Sequence, residues 1–246
     1  MRDYAKEIES RVAFIREQLA SSGAKGIIYG NSGGKDCTLS GILCKMACEN
    51  TVGIIMPCQS KQNYTSDRED ALAVGEQFHI EQRIVDISDL KADAVRIFGE
   101  HTELTDSALA NIAPRLRMLT LYTIGAAEGR LVAGTGNRSE RYMGYFTKWG
   151  DGACDFNPIA DLTVGEVYEF LEFLHAPRSI IDKAPSAGLF EGQTDEGEMG
   201  VSYAAVDEYI LHGTGTEKDI AVIERYHARN THKLRLPPVF DEQVSD

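Results

Sequence analysis

"YGNSGGKDCT", residues 29–38, follows the apolar run "KGIIYG" (25–30) and precedes a helical pattern over 38–48. Strand, glycine-rich turn and helix in that order place backbone N–H groups and a helix N-terminus at one point, an arrangement that receives phosphate. The turn is not a Walker A loop. Aligned on Gly34-Lys35, the first glycine of G-x-x-x-x-G-K-[ST] falls on Tyr29 and its hydroxyl on Asp36. Gly33 and Gly34 permit positive φ and close approach of the backbone to a ligand. A carboxylate beside polyphosphate is repelled unless a cation stands between them, so Asp36 reads as a magnesium ligand. The bland alternative is a turn capped by Ser32 and decorated with a surface aspartate.

Working outward, "TVGIIM" (51–56), "QRIVDI" (82–87) and "RLVAGT" (130–135) are further short β-branched runs. Helical patterns over 66–78, 88–98 and 105–128 separate them, the signature of parallel βαβ units. Helices are also expected near 163–174, 201–211 and 217–229. The expected fold is α/β: one doubly wound, mainly parallel, Rossmann-like sheet with flanking helices, in a single domain spanning 1–246. Ligands of such sheets bind beyond the carboxyl ends of the strands. Between helices, "PSAGLFEGQTDEGEMG" (185–200) is long enough to be a functional loop.

The composition excludes several classes. With 38 acidic against 25 basic residues the net charge is −13, which repels nucleic acid at long range. The N-terminal "MRDYAKEIESRVAFIREQL" reads as an amphipathic helix rather than a leader, and no apolar run is long enough to span a membrane. Five cysteines, odd in number and without C-x-x-C, suit a reducing cytoplasm. Cys44 and Cys48 share a helix face, where buried thiols are expected rather than a metal pair.

Other stretches carry chemistry. "GTGNRSE" (134–140) follows a strand, so Thr135 and Glu140 fall at the carboxyl edge beside the glycine turn. Glu140 with Asp36 makes a two-carboxylate magnesium site, the ion bridging phosphate oxygens. Arg115 and Arg117 stand in an apolar helix and need either buried partners or an anionic ligand. "FTKWGDGACD" (146–155) brings Lys148 to pair with a phosphate and Asp155 to accept from an amide or ribose. "THKLRLPP" (231–238) places His232 and Lys233 near the terminus, where on their own they read as a solvated basic segment.

"SGGKD" (32–36) resembles the S-G-G-x-D signature of the N-type ATP pyrophosphatases, which cleave ATP between the α and β phosphates. "NIAPRLRM" (111–118), "GTGNRSE", "GYFTKWGDGACDFNPI" (144–159), "SAGLFEGQTDEGEMGVSY" (186–203) and "HK" (232–233) resemble, in that order, the motifs of NH3-dependent NAD synthetases, over nearly the whole chain. The resemblance implies a homodimeric ligase that amidates deamido-NAD with ammonia and ATP. An acyl-adenylate is the intermediate, and AMP and pyrophosphate are released. It implies magnesium at Asp36 and Glu140. It further implies ATP contacts from Gly30, Asn31, Ser32, Gly33, Gly34, Lys35, Asp36, Cys37, Thr135 and Ser186. Arg115, Lys148, Asp155, His232 and Lys233 correspond to its deamido-NAD binders, the dinucleotide lying across the dimer interface. The loops 58–70 and 186–200 are expected to close over the intermediate and exclude water.

Four positions depart from that family's pattern. Cys37 replaces a serine whose hydroxyl faces pyrophosphate. Val164 stands where an ATP-contacting lysine is usual, leaving Lys183 as a candidate replacement cation. "HKLR" moves the second cation of H-K-R to Arg235. Pro114 interrupts "NIxAR" and is tolerable only in a first helical turn. These departures leave two rivals open: a diverged pyrophosphatase adenylating another carboxylate or a tRNA base, and a non-catalytic nucleotide-binding regulator. The missing C-x-x-C and the acidic surface argue against the tRNA branch.

Overall fold

The computed structural model describes residues 2–58, 65–183 and 195–240. Helix α1 (Tyr4–Ser22) starts where the Asp3 carboxylate accepts the Lys6 N–H and stops at Gly23, whose left-handed backbone returns an N–H to Leu19. Then follow β1 (Gly26–Gly30), α2 (Lys35–Ala47), β2 (Thr51–Ile55), α3 (Ser66–Gln77), β3 (Glu81–Ile84), α4 (Ser88–Gly99), α5 (Asp106–Glu128) and β4 (Arg130–Ala133). The C-terminal part adds α6 (Arg138–Met143), α7 (Val164–Phe173), α8 (Arg178–Ile181), α9 (Asp195–Met199), α10 (Tyr203–His212), α11 (Glu217–Asn230) and a 3-10 turn, Thr231–Leu234.

The four described strands are all parallel, in the order β3-β2-β1-β4. Strand alternation sorts the core into two layers. Ile27 and Tyr29 point to one face, against Ile15 of α1, Leu39 and Leu43 of α2, and Val167 and Phe170 of α7. Ile28, Val52, Ile54 and Val132 point to the other, against Ala113 and Leu121 of α5. Both faces are covered, as all-parallel sheets require. A third apolar cluster, around Met143, Val164, Met199, Tyr203 and Ile223, joins α6, α7, α9, α10 and α11 beside the sheet.

The order 3-2-1-4 has one topological consequence for function. The chain runs outward from β1 through β2 to β3 and then returns to the other side of β1, so the direction reverses between β1 and β4. A crevice opens at the carboxyl ends of strands flanking such a switch point. Asp36 follows β1, and Glu140 follows β4.

Two local expectations are corrected. Pro114 lies in the third turn of α5, not its first. It is buried there, and helix α5 continues through it to Glu128. A proline so placed removes one i→i−4 bond and bends the helix away from its ring. Cys44 is buried in the sheet-facing core, but Cys48 is the C-cap of α2 and only half-buried, so the two thiols are not one buried pair.

Candidate active site

The glycine turn is braced from inside. Asn31 is 2% exposed; its amide nitrogen donates to Ala71 O (3.3 Å) and Gln82 Oε1 (3.0 Å), and its Oδ1 accepts the Gly33 N–H (3.1 Å). Gly33 has φ +70°, and a Cβ there would run into the Asp67 carbonyl oxygen, so only glycine fits. The Cys37 thiol reaches Asn31 Oδ1, Gly34 O and Ser32 Oγ at 3.1–3.4 Å. Burial pushes that thiol up from its usual range. Cys37 therefore ties the turn together as a neutral donor.

Asp36 and Glu140 meet through Asn137. The Asn137 amide donates to Asp36 Oδ1 (3.0 Å). Its backbone N–H donates to Glu140 Oε2 (3.1 Å), and its Oδ1 accepts the Glu140 N–H (3.0 Å), closing a capping box on α6. One asparagine thus holds the carboxylates of two strand ends together. Burial and the nearby Asp36 charge push the Glu140 carboxyl well above the usual carboxylate range. Two hard oxygen donors that repel each other and lie beside a glycine turn fit a magnesium ion, which takes one or two carboxylates and completes its shell with phosphate and water. Among the described residues no group of three or more His, Cys, Asp or Glu side chains forms a metal cluster, so this pair is the candidate.

Lys35 turns inward from the same helical turn. It is 7% exposed, with Nζ 2.7 Å from Asp36 Oδ2 and 5.8 and 5.9 Å from the ring centres of Tyr168 and Tyr203. Burial opposes its charge, but Asp36 and Glu140 more than offset this and raise its pKa.

Asn31, Lys35, Asp36, Cys37, Glu140 and Tyr168 line one cleft of about 1560 Å³, whereas Gly33 is not on its wall. The usual small-ligand pocket is roughly 300–1,000 Å³, so this cleft has room for two substrates. Gly30, Ser32, Gly34, Thr135, Arg115, Lys148, His232 and Lys233 also line it. Lys148 donates to His232 O (3.1 Å) and lies 5.4 Å from the Trp149 ring centre. Trp149 is 49% exposed at φ +61°, a backbone state that a bulky residue adopts only when its surroundings force it. Lys233 donates to Gly144 O (2.7 Å) and Phe146 O (2.9 Å), and burial lowers its pKa. It fastens the 144–146 loop to the C-terminal turn as well as facing the cleft.

Other expected residues stand elsewhere. Asp155 is not on the cleft wall: its carboxylate accepts the Val132 N–H of edge strand β4 (2.7 Å) and the Tyr122 hydroxyl (3.2 Å). Ser186 lies outside the described residues, as do 59–64 and the rest of 186–194 in the two loops expected to close; of the remainder, 66–70 begins α3 and 195–199 is α9. Val164 is 5% exposed and packs in the third apolar cluster. A lysine there would enter a core, not a phosphate site. Lys183 does line the cleft, but its Nζ is held at 2.8 Å by both Asp67 and Asp70. Arg235 is exposed and off the cleft wall.

The sequence reading missed Asn137 and the aromatic walls around Lys35. Asn137 had a signal: Asn and Glu three apart, just before a helix, spell a capping box. Tyr168 and Tyr203 had none, since they come from helices far along the chain. Arg117, singled out beside Arg115, lines the cleft, and burial lowers its guanidinium from the usual value.

The profile of the family described as NAD synthase matches residues 7–237. An "NH(3)-dependent NAD(+) synthetase" of Carboxydothermus hydrogenoformans is 43% identical over 240 residues, covering 96% of this chain and 98% of the relative. Among solved structures, "NMN synthetase from Francisella tularensis" superposes with TM-score 0.92 at 33% identity, covering 98% of this chain and 100% of that one. The "NH3-dependent NAD synthetase" of Campylobacter jejuni superposes with TM-score 0.80 at 31% identity, over the same shares of both chains.

Proposed function

Because the chain belongs to the NAD synthase family, a family of ligases, we propose that it amidates the nicotinate carboxylate of deamido-NAD with ammonia, driven by ATP. The observation that carries this reading is the meeting of Asp36 and Glu140 on Asn137 at the switch point, beside a glycine turn that is not a Walker A loop.

The glycine turn and the α2 N-terminus bind the triphosphate through backbone N–H groups. Asp36 and Glu140 would hold magnesium, which neutralises phosphate charge when bound. Arg115, Lys148, His232 and Lys233, which line the same cleft, would position the acid substrate. A carboxylate oxygen attacks the α-phosphorus, the bond to the β-phosphate oxygen breaks, and pyrophosphate leaves. Ammonia then attacks the acyl carbon, AMP departs with the C–O electron pair, and the excess proton passes to solvent. The protein supplies orientation and fixed charge; no side chain forms a covalent bond.

The working unit is read as a homodimer. Support comes from α4, which buries none of its residues while Leu90, Ile97 and Phe98 are 43–51% exposed. Asp155, off the cleft of its own chain, would reach a dinucleotide only if the substrate extends across such an interface. Five free cysteines support a reducing cytoplasm, and no described helix is long and apolar enough to cross a membrane.

A second reading is favoured by one finding. The neighbour superposing at TM-score 0.92 is an NMN synthetase, against 0.80 for the NAD synthetase. The same chemistry on nicotinate mononucleotide needs no adenosine half-site. Purified protein with magnesium-ATP and ammonium, offered deamido-NAD and nicotinate mononucleotide in separate reactions, decides between them by kcat/KM. A protein that amidates neither, while binding ATP, would be the regulator.

A further inference from the structure

Lys35 stands next to Asp36 in the first turn of α2, and its environment holds it at the carboxylate pair. A buried ammonium is costly unless paired, and this one is paired with Asp36 Oδ2 at 2.7 Å. Tyr168 of α7 and Tyr203 of α10 close on it from two other directions, both ring centres within 6 Å of Nζ. Tyr203 is itself 2% exposed, its hydroxyl held to Asp195 Oδ2 (3.2 Å). The ammonium also feels Glu140. Its location is therefore that of a cation serving both carboxylates, and the cleft wall includes Lys35, Asp36, Glu140 and Tyr168 together.

We propose that the Lys35 ammonium occupies the cation position of the Asp36–Glu140 pair in the nucleotide-free protein, so that a divalent metal enters only together with a polyphosphate. Two cations at contact distance from the same oxygens repel each other. A triphosphate arriving at the glycine turn removes that conflict, because its oxygens take over the ammonium while the carboxylates take the metal. Lys35 then changes partners from Asp36 to phosphate. The resting site stays near neutral without metal, and free metal does not load it ahead of substrate.

The inference rests on reading Asp36 and Glu140 as the metal pair, and the test separates the two. Nucleotide-free protein is titrated with Mn2+, and free Mn2+ is followed by its EPR signal, for the native chain, Lys35→Met, Lys35→Gln, Lys35→Arg and Asp36→Asn. Each variant is first checked for a cooperative thermal transition, and the two neutral replacements guard against one failing to fold. Lys35→Met and Lys35→Gln should bind Mn2+ at least tenfold more tightly than the native chain, about 1.4 kcal/mol. Lys35→Arg should stay as weak as the native chain. With ATP added, Mn2+ retained with the native chain on ultrafiltration should exceed that of a protein-free Mn2+-ATP control, and the neutral variants should bind metal-free ATP more weakly. Equal nucleotide-free Mn2+ binding in native and neutral variants overturns the Lys35 inference. If native uptake with ATP is nonetheless lost in Asp36→Asn, the metal pair survives that failure. No uptake by any form, with or without ATP, overturns both.

Discussion

Helices α2 and α4 are nearly equal in length and both follow a strand of the same sheet, yet they meet opposite fates. Nine of the 13 residues of α2 are buried, including Lys35, Thr38 and Ser40. None of the 12 residues of α4 is buried, although Leu90, Ile97 and Phe98 give it an apolar side. Helix α2 lies between α1 and α7 with the sheet beneath, so its N-terminus is braced against the core while opening on the cleft, and can hold charge in a defined geometry. Helix α4 packs chiefly on α5 and leaves its apolar side bare. The burial that makes α2 a site is completed by the chain itself; the apolar side of α4 is left uncovered by the described residues, which is what the proposed dimer would cover.

The largest effect is expected where α2 meets α6. Asp36→Ala should lower turnover by two orders of magnitude or more, in line with about 10²–10³-fold for a group that stabilises transition-state charge. Its thermal transition should remain cooperative. Near-native kcat in that variant would dismiss Asp36 as a metal ligand.

At α4 the sharpest change is Phe98→Glu. A charge set into an isologous apolar patch appears twice in a C2 dimer. Light scattering should show the chain move from dimer to monomer, while the packing around α2 stays intact. A native chain that is already monomeric would show that nothing covers the apolar side of α4 in solution.

Val164→Lys tests whether the core beside the site tolerates charge. Val164 is 5% exposed among Met143, Met199 and Val206, so the substitution should cost roughly 2–4 kcal/mol by chemical denaturation. The family resemblance alone would have it lower KM for ATP instead. An unchanged denaturation midpoint with a lowered KM would show the lysine reaching the cleft.

Glu140→Gln should abolish turnover but stabilise the nucleotide-free protein at neutral pH by on the order of 1 kcal/mol. The sign follows from the raised pKa of the Glu140 carboxyl. A carboxyl raised in the folded state contributes stability below its unfolded pKa, and loses it as pH rises through the folded value. The gain from glutamine should therefore vanish on acidification, and magnesium-ATP binding by the native chain should weaken as pH falls, because the proton competes at Glu140. A stabilisation that is the same at all pH values would dismiss that explanation.

Cys37→Ser should have the smallest effect, changing KM for ATP by less than about tenfold, or about 1.4 kcal/mol. The thiol bonds within the turn, to Gly34 O and Asn31 Oδ1, and a hydroxyl can replace it there. A larger change would place the group against phosphate.

What could be read from the sequence follows this same division. The strands at 25–30, 51–56 and 130–135 and the glycine turn depend on local signals, and β1, β2 and β4 appear there with ends trimmed by one or two residues. Strand β3 ends at Ile84, short of the expected 87, because Val85 and Ile87 follow β2 only through single bonds to Ile55 O and Pro57 O. Asp36 and Glu140 were legible because a switch point brings the ends of β1 and β4 together whatever the side chains. Asp155 was not. It shares a motif with Lys148, yet its carboxylate reaches the free N–H of an edge strand, a contact that no spacing reveals. The burial of Val164 and the aromatic surroundings of Lys35 were not legible either, for one reason. The surroundings of both helix starts depend on α10, far along the chain from Lys35, whose Tyr203 packs near both.

The Asp36–Glu140 cleft is proposed to drive amidation through cleavage of ATP at its α-phosphate. Phosphorus NMR of a reaction with ammonium and the acid substrate tests it most directly. The account predicts AMP and pyrophosphate, each formed in equal amount to the amide and neither formed by Asp36→Ala. Release of ADP and inorganic phosphate as the primary products would contradict it.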